Sequence, residues 1–166
     1  MRCSPDQRSS CAPSRVPFVD EHALVIDAPP ETVWDALLAH LSPAFEGGAS
    51  EVVARLLGCE HPRSGGPRPL EPGSTFPGFV VATVQRPLRL GLEGRHRFSQ
   101  YRLEFALDDL TEGRTRLRAG TWAAFPGARG RAYRAAVIGT RGHVLVVRRM
   151  LGAVGHRARR ATGALA

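Results

Sequence analysis

The stretch from Thr121 to Val154 most constrains the fold of this chain. It begins as the end of an alternating strand, turns at Phe125-Pro126-Gly127, and continues with a stripe of apolar or small residues. The stripe consists of Tyr133, Ala136, Val137, Thr140, Val144, Val147, Leu151 and Val154. Steps of three and four residues place these side chains on one face of a long helix. Such a helix needs a wide apolar surface to pack on.

The segment before this helix alternates with a period of two and can supply that surface. One predicted strand carries on a single face Leu88, Leu90, Leu92, Gly94, His96 and Phe98. The strands predicted at 101–108 and 115–125 alternate in the same way, and Phe79–Val84 is apolar on both sides, which favours a central strand. Short turns between consecutive strands predict an antiparallel meander.

The first part of the chain predicts a strand, Phe18–Asp27, followed by a helix that begins at Ala28-Pro29-Pro30 and ends at Ser42-Pro43. We expect a short helical turn at 43–46 and a strand at Glu51–Leu57. The Pro- and Gly-rich segment Cys59–Gly73 predicts a long loop, of a kind that is usually functional or mobile.

A length of 166 residues predicts one domain. We assign 1–17 to a disordered N-terminal leader, 18–160 to the folded domain and 161–166 to a flexible tail. The longest apolar run, Phe79–Ala82, is too short to span a bilayer, and the leader has no apolar stretch typical of a secretory signal. We therefore expect a cytoplasmic protein without membrane insertion.

The formal net charge of +8 comes from 23 basic residues, all of them Arg. An Arg-only set in a chain rich in Ala, Gly and Pro indicates GC-rich codon usage, so a solvated basic face is favoured over a nucleic-acid surface. The three Cys are scattered and form neither a disulfide framework nor a zinc-binding motif. We expect no metal and no cofactor.

The sequence resembles a known superfamily in three respects. A strand running into "IDAPPETVWDAL", a run of antiparallel strands, and a long amphipathic terminal helix resemble the START-like or Bet v 1-like (SRPBCC) proteins. This superfamily includes the polyketide cyclase/dehydrase and lipid-transport group. The tail "FPGARGRAYRAAVIGTRGHVLVVRRML" resembles, more narrowly, a bacterial branch with a similar turn, helix start, helix break and His. The resemblance covers Phe18 to Arg160.

The resemblance implies an α+β helix-grip fold. In this fold a curved antiparallel sheet of six to seven strands wraps around the long C-terminal helix, with one or two short helices after the first strand and a cavity between sheet and helix. The strand that the alternation does not reveal would lie around Pro69–Phe76.

The predicted ligand-binding residues are those that the alternation and the helical stripe point inward. They are Trp34, Phe79, Val81, Leu90, Leu92, His96, Phe98, Tyr101, Leu103, Phe105, Leu117, Ala119, Thr121, Tyr133, Val137, Thr140, His143, Val144 and Val147. Among them, His96, His143 and Tyr101 are candidate catalytic residues. The helix break between Gly139 and His143 would let the two His face one another across the pocket, although a structural role for each remains an alternative.

Three functions follow from these patterns. The leading one is binding of a small hydrophobic molecule, such as a lipid, polyketide or aromatic metabolite. The alternative is a cyclase/dehydratase-type enzyme in which His96 and His143 exchange protons while Tyr101 orients a carbonyl. The second alternative is an Arg-rich surface that binds acidic partners. Its residues would be Arg89, Arg95, Arg97, Arg116, Arg118, Arg148, Arg149, Arg157, Arg159 and Arg160. We expect a monomer or a homodimer.

Overall fold

The computed structural model describes residues 16–45 and 48–164, and within these ranges a six-stranded antiparallel sheet packs against helices. The strands are β1 (Phe18–Ile26), β2 (Thr75–Phe76), β3 (Phe79–Gln85), β4 (Arg89–His96), β5 (Ser99–Leu110) and β6 (Arg114–Ala124). Their order across the sheet is β1-β6-β5-β4-β3-β2. The predicted α+β helix-grip architecture is confirmed. Most of the predicted leader, 1–15, lies outside the described residues.

Four helices accompany the sheet. They are α1 (Pro30–Phe45), α2 (Gly48–Leu57), α3 (Gly127–Arg134) and α4 (Gly142–Gly163). A π-helical turn, Ala135–Gly139, lies between α3 and α4, and a short 3-10 turn, Thr111–Gly113, joins β5 to β6. Because α4 extends to Gly163, residues 161–163 of the predicted tail are helical. No helix in the described ranges is long and apolar enough to cross a bilayer.

The hydrophobic core lies between the sheet and the pair α1 and α4. Its fully buried side chains include Trp34, Leu37, Leu41, Leu90, Leu92, Phe105, Leu117 and Val154. Gly155 brings α4 close to β1, since a Cβ at this position would lie 2.9 Å from Leu24 Cδ2 and 3.4 Å from Ile26 Cγ1. Of the helical stripe predicted from the sequence, Val147, Leu151 and Val154 are buried in this core, whereas Ala136 and Thr140 are exposed.

The strand predicted at Glu51–Leu57 is wrong, because this segment is helix α2. The Val52-Val53 pair is typical of a strand, but both side chains are exposed, and so is Leu56. Helical signals are present as well: Arg55 pairs with Glu51 four residues earlier at 3.0 Å. Ala54 is buried, but the larger apolar residues of this segment do not mark its buried face, which explains the error.

Helix α1 does not end at Ser42-Pro43 but continues to Phe45. A proline inside a helix has no N–H, so the carbonyl four residues earlier loses its usual partner. Here that carbonyl belongs to Ala39, and the Arg157 guanidinium of α4 donates to it at 3.3 Å. The bond from α4 compensates for the one that Pro43 removes.

The strand assignments differ from prediction in two further places. Strand β3 is next to the sheet edge rather than central, because only the two-residue β2 lies beyond it. The hairpin between β4 and β5 turns at 97–98, not at Ser99-Gln100, so that His96 pairs with Ser99. The strand missing from the alternation is β2, within the expected region but only two residues long.

The predicted break in the terminal helix is present. Between the π-helical turn and α4, Arg141 adopts a left-handed conformation with a φ of 56°. Just before it, the Thr140 hydroxyl donates to the Ala136 carbonyl at 2.7 Å. The break divides the C-terminal segment into two helices that contact different parts of the protein.

Candidate functional site

A cavity of about 560 Å³ lies between the sheet, α2 and the segment from α3 to α4. It is lined by Ala49, Ser50, Val53, Ala54, Leu57, Cys59, Pro77, Gly78, Phe79, His96, Ser99, Tyr101, Arg102, Leu103, Thr121, Ala123, Phe125, Tyr133, His143 and Val147. Most of these side chains are apolar. Val53 lines the cavity and is also 54% exposed, so the cavity reaches solvent beside α2.

One end of the cavity is aromatic and centres on His96 at the end of β4. Its ring lies 4.9 Å from that of Tyr133 on α3, 5.4 Å from that of Tyr101 on β5 and 6.0 Å from that of Phe98 in the hairpin turn. Phe98 in turn stacks on Tyr133 at 5.7 Å. These ring contacts attach α3 to the sheet.

The protonation of His96 follows from its hydrogen bond. The backbone N–H of Phe98 donates to His96 Nδ1 at 3.1 Å, so a neutral ring carries its proton on Nε2. Burial lowers the pKa of His96, because desolvation disfavours the charged imidazolium. The ring is therefore a neutral group near neutrality, with an N–H rather than a free lone pair left for other contacts.

Tyr101 is anchored by its hydroxyl. The Tyr101 O–H donates to the Gly78 carbonyl at 2.6 Å, and Cys59 Sγ lies 3.9 Å from the same oxygen. Burial raises the pKa of Tyr101 and also that of the Cys59 thiol. The approach of Gly78 and Tyr101 requires the absence of a side chain at Gly94, since a Cβ there would overlap the Gly78 carbonyl and the Tyr101 ring.

A second polar cluster joins β1 to the start of α4. Asp20 Oδ2 lies 2.6 Å from Nε2 of His143 and 3.2 Å from Nε2 of His22. In the β1–β6 ladder, Asp20 pairs with Thr121 just after a register shift. One carboxylate oxygen therefore holds two imidazoles, one of which lines the cavity.

Three buried polar atoms of this cluster have no hydrogen-bond partner among the described residues. They are Asp20 Oδ1, His143 Nδ1 and Thr121 Oγ1. Buried polar atoms are nearly always paired, and an unpaired one is costly. His143 and Thr121 both line the cavity, so unused hydrogen-bonding capacity is concentrated beside it.

The structure brings some of the predicted site residues together at the cavity and places others elsewhere. Those that line it are Phe79, His96, Tyr101, Leu103, Thr121, Tyr133, His143 and Val147. Those in the closed core are Trp34, Val81, Leu90, Leu92, Phe105, Leu117 and Ala119. Phe98 packs behind His96, Val144 is half-buried outside the lining, and Thr140 is exposed. The side chain of Val137 lies outside the described part of the chain.

Sequence reasoning missed two parts of the site. Helix α2 contributes one wall, and a strand was predicted there. Asp20 was not singled out, although it has the same parity in β1 as His22, Leu24 and Ile26 and so belongs on their face of the sheet. That parity was the signal that could have identified it.

The two candidate catalytic His line the same cavity but have separate environments. His96 accepts from the Phe98 N–H, and His143 contacts Asp20. The Tyr101 hydroxyl donates its proton in a hydrogen bond to the Gly78 carbonyl. Within the described ranges no group of three His, Cys, Asp or Glu residues could hold a metal ion.

Solved structures share this fold. The chain is similar to the Zhui aromatase/cyclase from Streptomyces sp. R1128, with a TM-score of 0.56 and 15% identity over 86% of this chain and 94% of that one. It is also similar to a protein from Thermobifida fusca, with a TM-score of 0.53 and 16% identity over 84% and 92% of the two chains. A protein from Thermus thermophilus matches with a TM-score of 0.50 and 16% identity over 87% and 99%.

These likenesses confirm the START-like, Bet v 1-like fold inferred from the sequence. At such identities they define the fold, a class that hosts many unrelated functions. No protein-family model and no curated protein matches the sequence.

Proposed function

We propose that this protein binds a small, largely apolar molecule in the cavity between the sheet, α2 and the α3–α4 segment. The observation that carries the proposal is the cavity itself, about 560 Å³ in volume and lined mainly by apolar and aromatic side chains. Volumes of this order are typical of sites for small organic ligands. The likeness in fold to a protein described as an aromatase/cyclase adds support.

The aromatic end favours a ligand with a flat ring. The ring of His96 lies 4.9 Å from that of Tyr133 and 5.4 Å from that of Tyr101, an arrangement that attracts a further ring by offset or edge contacts. The ligand would leave the Tyr101–Gly78 bond intact and lie against Leu103 and Val147.

Displacement of a neutral fluorescent probe, N-phenyl-1-naphthylamine, tests the proposal. We expect saturable probe binding that flat aromatic and fatty compounds displace. Ala123→Leu narrows the cavity and should weaken probe binding, whereas Ala82→Leu adds the same volume on the exposed side of β3 and should not.

A second variant is needed because Ala123→Leu could weaken probe binding by misfolding rather than by filling the cavity. Val53→Trp obstructs the cavity from an exposed position on α2, where the fold tolerates a larger side chain. If no probe binds at high micromolar concentration, or if both cavity variants bind like the wild type, the proposal fails.

A second candidate function, an acid–base enzyme of the cyclase/dehydratase kind, is favoured by the 2.6 Å contact between His143 and Asp20. A carboxylate that accepts from Nε2–H orients the ring and leaves Nδ1 as the lone pair of a neutral imidazole. His143 Nδ1 is buried and has no partner among the described residues, so it would take a proton from a ligand whose binding exposes this nitrogen.

His96 would play a different part in such an enzyme. With its proton on Nε2, it would donate a hydrogen bond to a developing oxyanion rather than act as the base. Once displacement screening identifies a compound that the protein converts, His143→Gln should lower kcat while leaving probe binding within about twofold. Unchanged turnover in both His143→Gln and Asp20→Asn would exclude this function.

A further inference from the structure

A groove with a volume of about 720 Å³ lies at the end of the sheet where β1 begins and β6 ends, beside α3. We define this sheet-end groove by its lining residues, Pro17, Phe18, Val19, Gln100, Ala123, Ala124, Phe125, Pro126, Arg131 and Arg134. Of these residues, Ala123 and Phe125 also line the cavity, and the others do not. We propose that the sheet-end groove binds an organic anion, a molecule with an apolar body and one carboxylate or similar oxyanion group.

The floor of the sheet-end groove is apolar and is fixed to the sheet. Apart from Gln100 and the two arginines, all of its lining residues are apolar. Phe18 is 59% exposed, and its ring meets that of Trp122 edge-on at 5.6 Å. The Ala123 N–H donates to the Pro17 carbonyl at 2.9 Å, which holds the start of the described chain against β6. The groove therefore presents aromatic and aliphatic surface that a ligand can cover.

Helix α3 holds two arginines beside this floor. Arg131 and Arg134 are three residues apart, so their side chains are neighbours on the helix, and both line the groove. The helix packs tightly on the chain beneath it, since a Cβ at Gly130 would lie 2.6 Å from the carbonyl carbon of Phe125. The ring of Tyr133 also lies 6.3 Å from that of Phe125. These contacts set the position of both arginines without a ligand.

The two arginines have no acidic partner. Neither Arg131 nor Arg134 forms an ion pair within the described ranges, and the groove lining contains no Asp or Glu. Arginines of the sheet are paired, as Arg118 is with Asp108 at 2.9 Å. The difference follows from the sequence, because no Asp or Glu follows Glu112. Two unpaired guanidinium groups beside an apolar floor suit an oxyanion attached to an apolar body.

The size and charge of the groove favour a small molecule over a second copy of this chain. A volume of this order is typical of sites for small organic ligands. A symmetric contact between two copies would bring Arg131 and Arg134 close to the same residues of the other copy, and like charges disfavour such a contact. The inference does not depend on which molecule the cavity binds.

Two fluorescent probes with the same rings test the inference. Anilinonaphthalene sulfonate is an anion, and N-phenyl-1-naphthylamine lacks the sulfonate. Val53→Trp obstructs the cavity and lies outside the groove, so this variant should bind the anionic probe saturably and the neutral probe weakly. Adding Arg131→Gln and Arg134→Gln should weaken binding of the anionic probe about tenfold. High salt should weaken it as well.

Matched controls separate the groove from the general positive charge. Arg148→Gln with Arg149→Gln removes the same charge from exposed positions of α4 outside the groove, and we expect binding within about twofold of that before the change. Ala124→Phe fills the groove from β6 and should weaken binding of the anionic probe. Ala82→Phe adds the same side chain at an exposed position of β3 and should not.

Competition identifies the ligand class. Naphthoate should displace the anionic probe from Val53→Trp, whereas the neutral naphthamide should not. Equal displacement by both compounds overturns the proposal, as does equal loss in the two pairs of arginine variants. Unchanged binding in Ala124→Phe also overturns it. A dimer in sedimentation velocity that Ala124→Phe dissociates would overturn it in favour of a second copy. The neutral probe reports on the cavity of the wild type and of the groove variants, so failure of the cavity proposal is measured separately.

Discussion

His143 Nε2 lies 2.6 Å from Asp20 Oδ2, and this contact joins the first turn of α4 to the first strand of the sheet. The two residues are 123 positions apart in the chain. Their contact gives the cavity a polar region with partners separate from those of the aromatic cluster around His96. An apolar cavity with one polar region can orient an amphiphilic ligand as well as hold it.

Asp20→Asn should destabilise the protein by about 1–2 kcal/mol, since the carboxylate accepts from two imidazoles and hydrogen bonds to charged groups are among the stronger ones. Urea denaturation at neutral pH measures the change. The control is Asp109→Asn, at an exposed position on β5. Equal destabilisation by the two substitutions would show that the cluster has no special role.

The protein should lose stability as the pH falls below the ordinary pKa of histidine, about 6.5. The pKa of His96 is lowered in the folded state by burial, so the unfolded chain binds a proton first and acid favours unfolding. The loss begins near the unfolded-state pKa and is complete once the pH is below the folded-state pKa. His40, whose pKa is lowered by burial and by Arg157, acts in the same direction.

His96→Asn isolates the contribution of His96, because the amide oxygen can still accept from the Phe98 N–H but does not titrate. Thermal unfolding between pH 7.5 and pH 5 should show a shallower decline in Tm than in the wild type. The matched control is His156→Asn on the exposed face of α4. An unchanged slope in His96→Asn would contradict the prediction.

Gly94→Ala should destabilise the protein by about 2–3 kcal/mol, because the new methyl group overlaps the Gly78 carbonyl and the Tyr101 ring. The opposite sign is expected at Gly152 of α4, where a Cβ meets nothing within 4 Å. There alanine should stabilise by about 0.5–1 kcal/mol through helix propensity. Chemical denaturation of the two variants measures the change in the free energy of unfolding. Changes of the same sign in both variants would contradict the prediction.

Tyr101→Phe should lower the free energy of unfolding by about 1–2 kcal/mol, since it leaves the Gly78 carbonyl without the hydroxyl that donates to it at 2.6 Å. Tyr133→Phe is the control in the same cavity, because its hydroxyl makes no hydrogen bond within the described ranges. We expect little change in the free energy of unfolding for that variant. A larger loss in Tyr133→Phe than in Tyr101→Phe would show that the anchoring bond is unimportant.

The alternation of apolar and polar residues predicted the strands well where one face of the sheet is buried. Leu90, Leu92 and His96 are all buried on the same face of β4, as their period of two indicated. The method failed at α2, where Val52, Val53 and Leu56 are exposed. Periodicity locates a buried face only when the apolar side chains are the buried ones.

The candidate site was only partly predictable for a related reason. The inward positions of His96 and His143 follow from local spacing, but the partner of His143 lies on a distant strand, next to a register shift between Phe18 and Asp20. Local patterns carry no information on which distant residues meet. The sequence also does not show which inward side chains belong to the closed core and which line the cavity. Leu90 and Leu103 are both inward positions of alternating strands, but only Leu103 lines the cavity.

The bond from Arg157 to the Ala39 carbonyl has a consequence for the opposite end of α4. Close packing of buried side chains holds α4 in place, and the guanidinium bound to one particular carbonyl adds a directional contact between α4 and α1. His143 lies on the same helix, about 21 Å toward its amino terminus at about 1.5 Å per residue. Pro43 leaves the Ala39 carbonyl free to bind Arg157 near the C-terminal part of α4. Because α4 is a continuous helix, this contact helps to position the His143 imidazole beside Asp20.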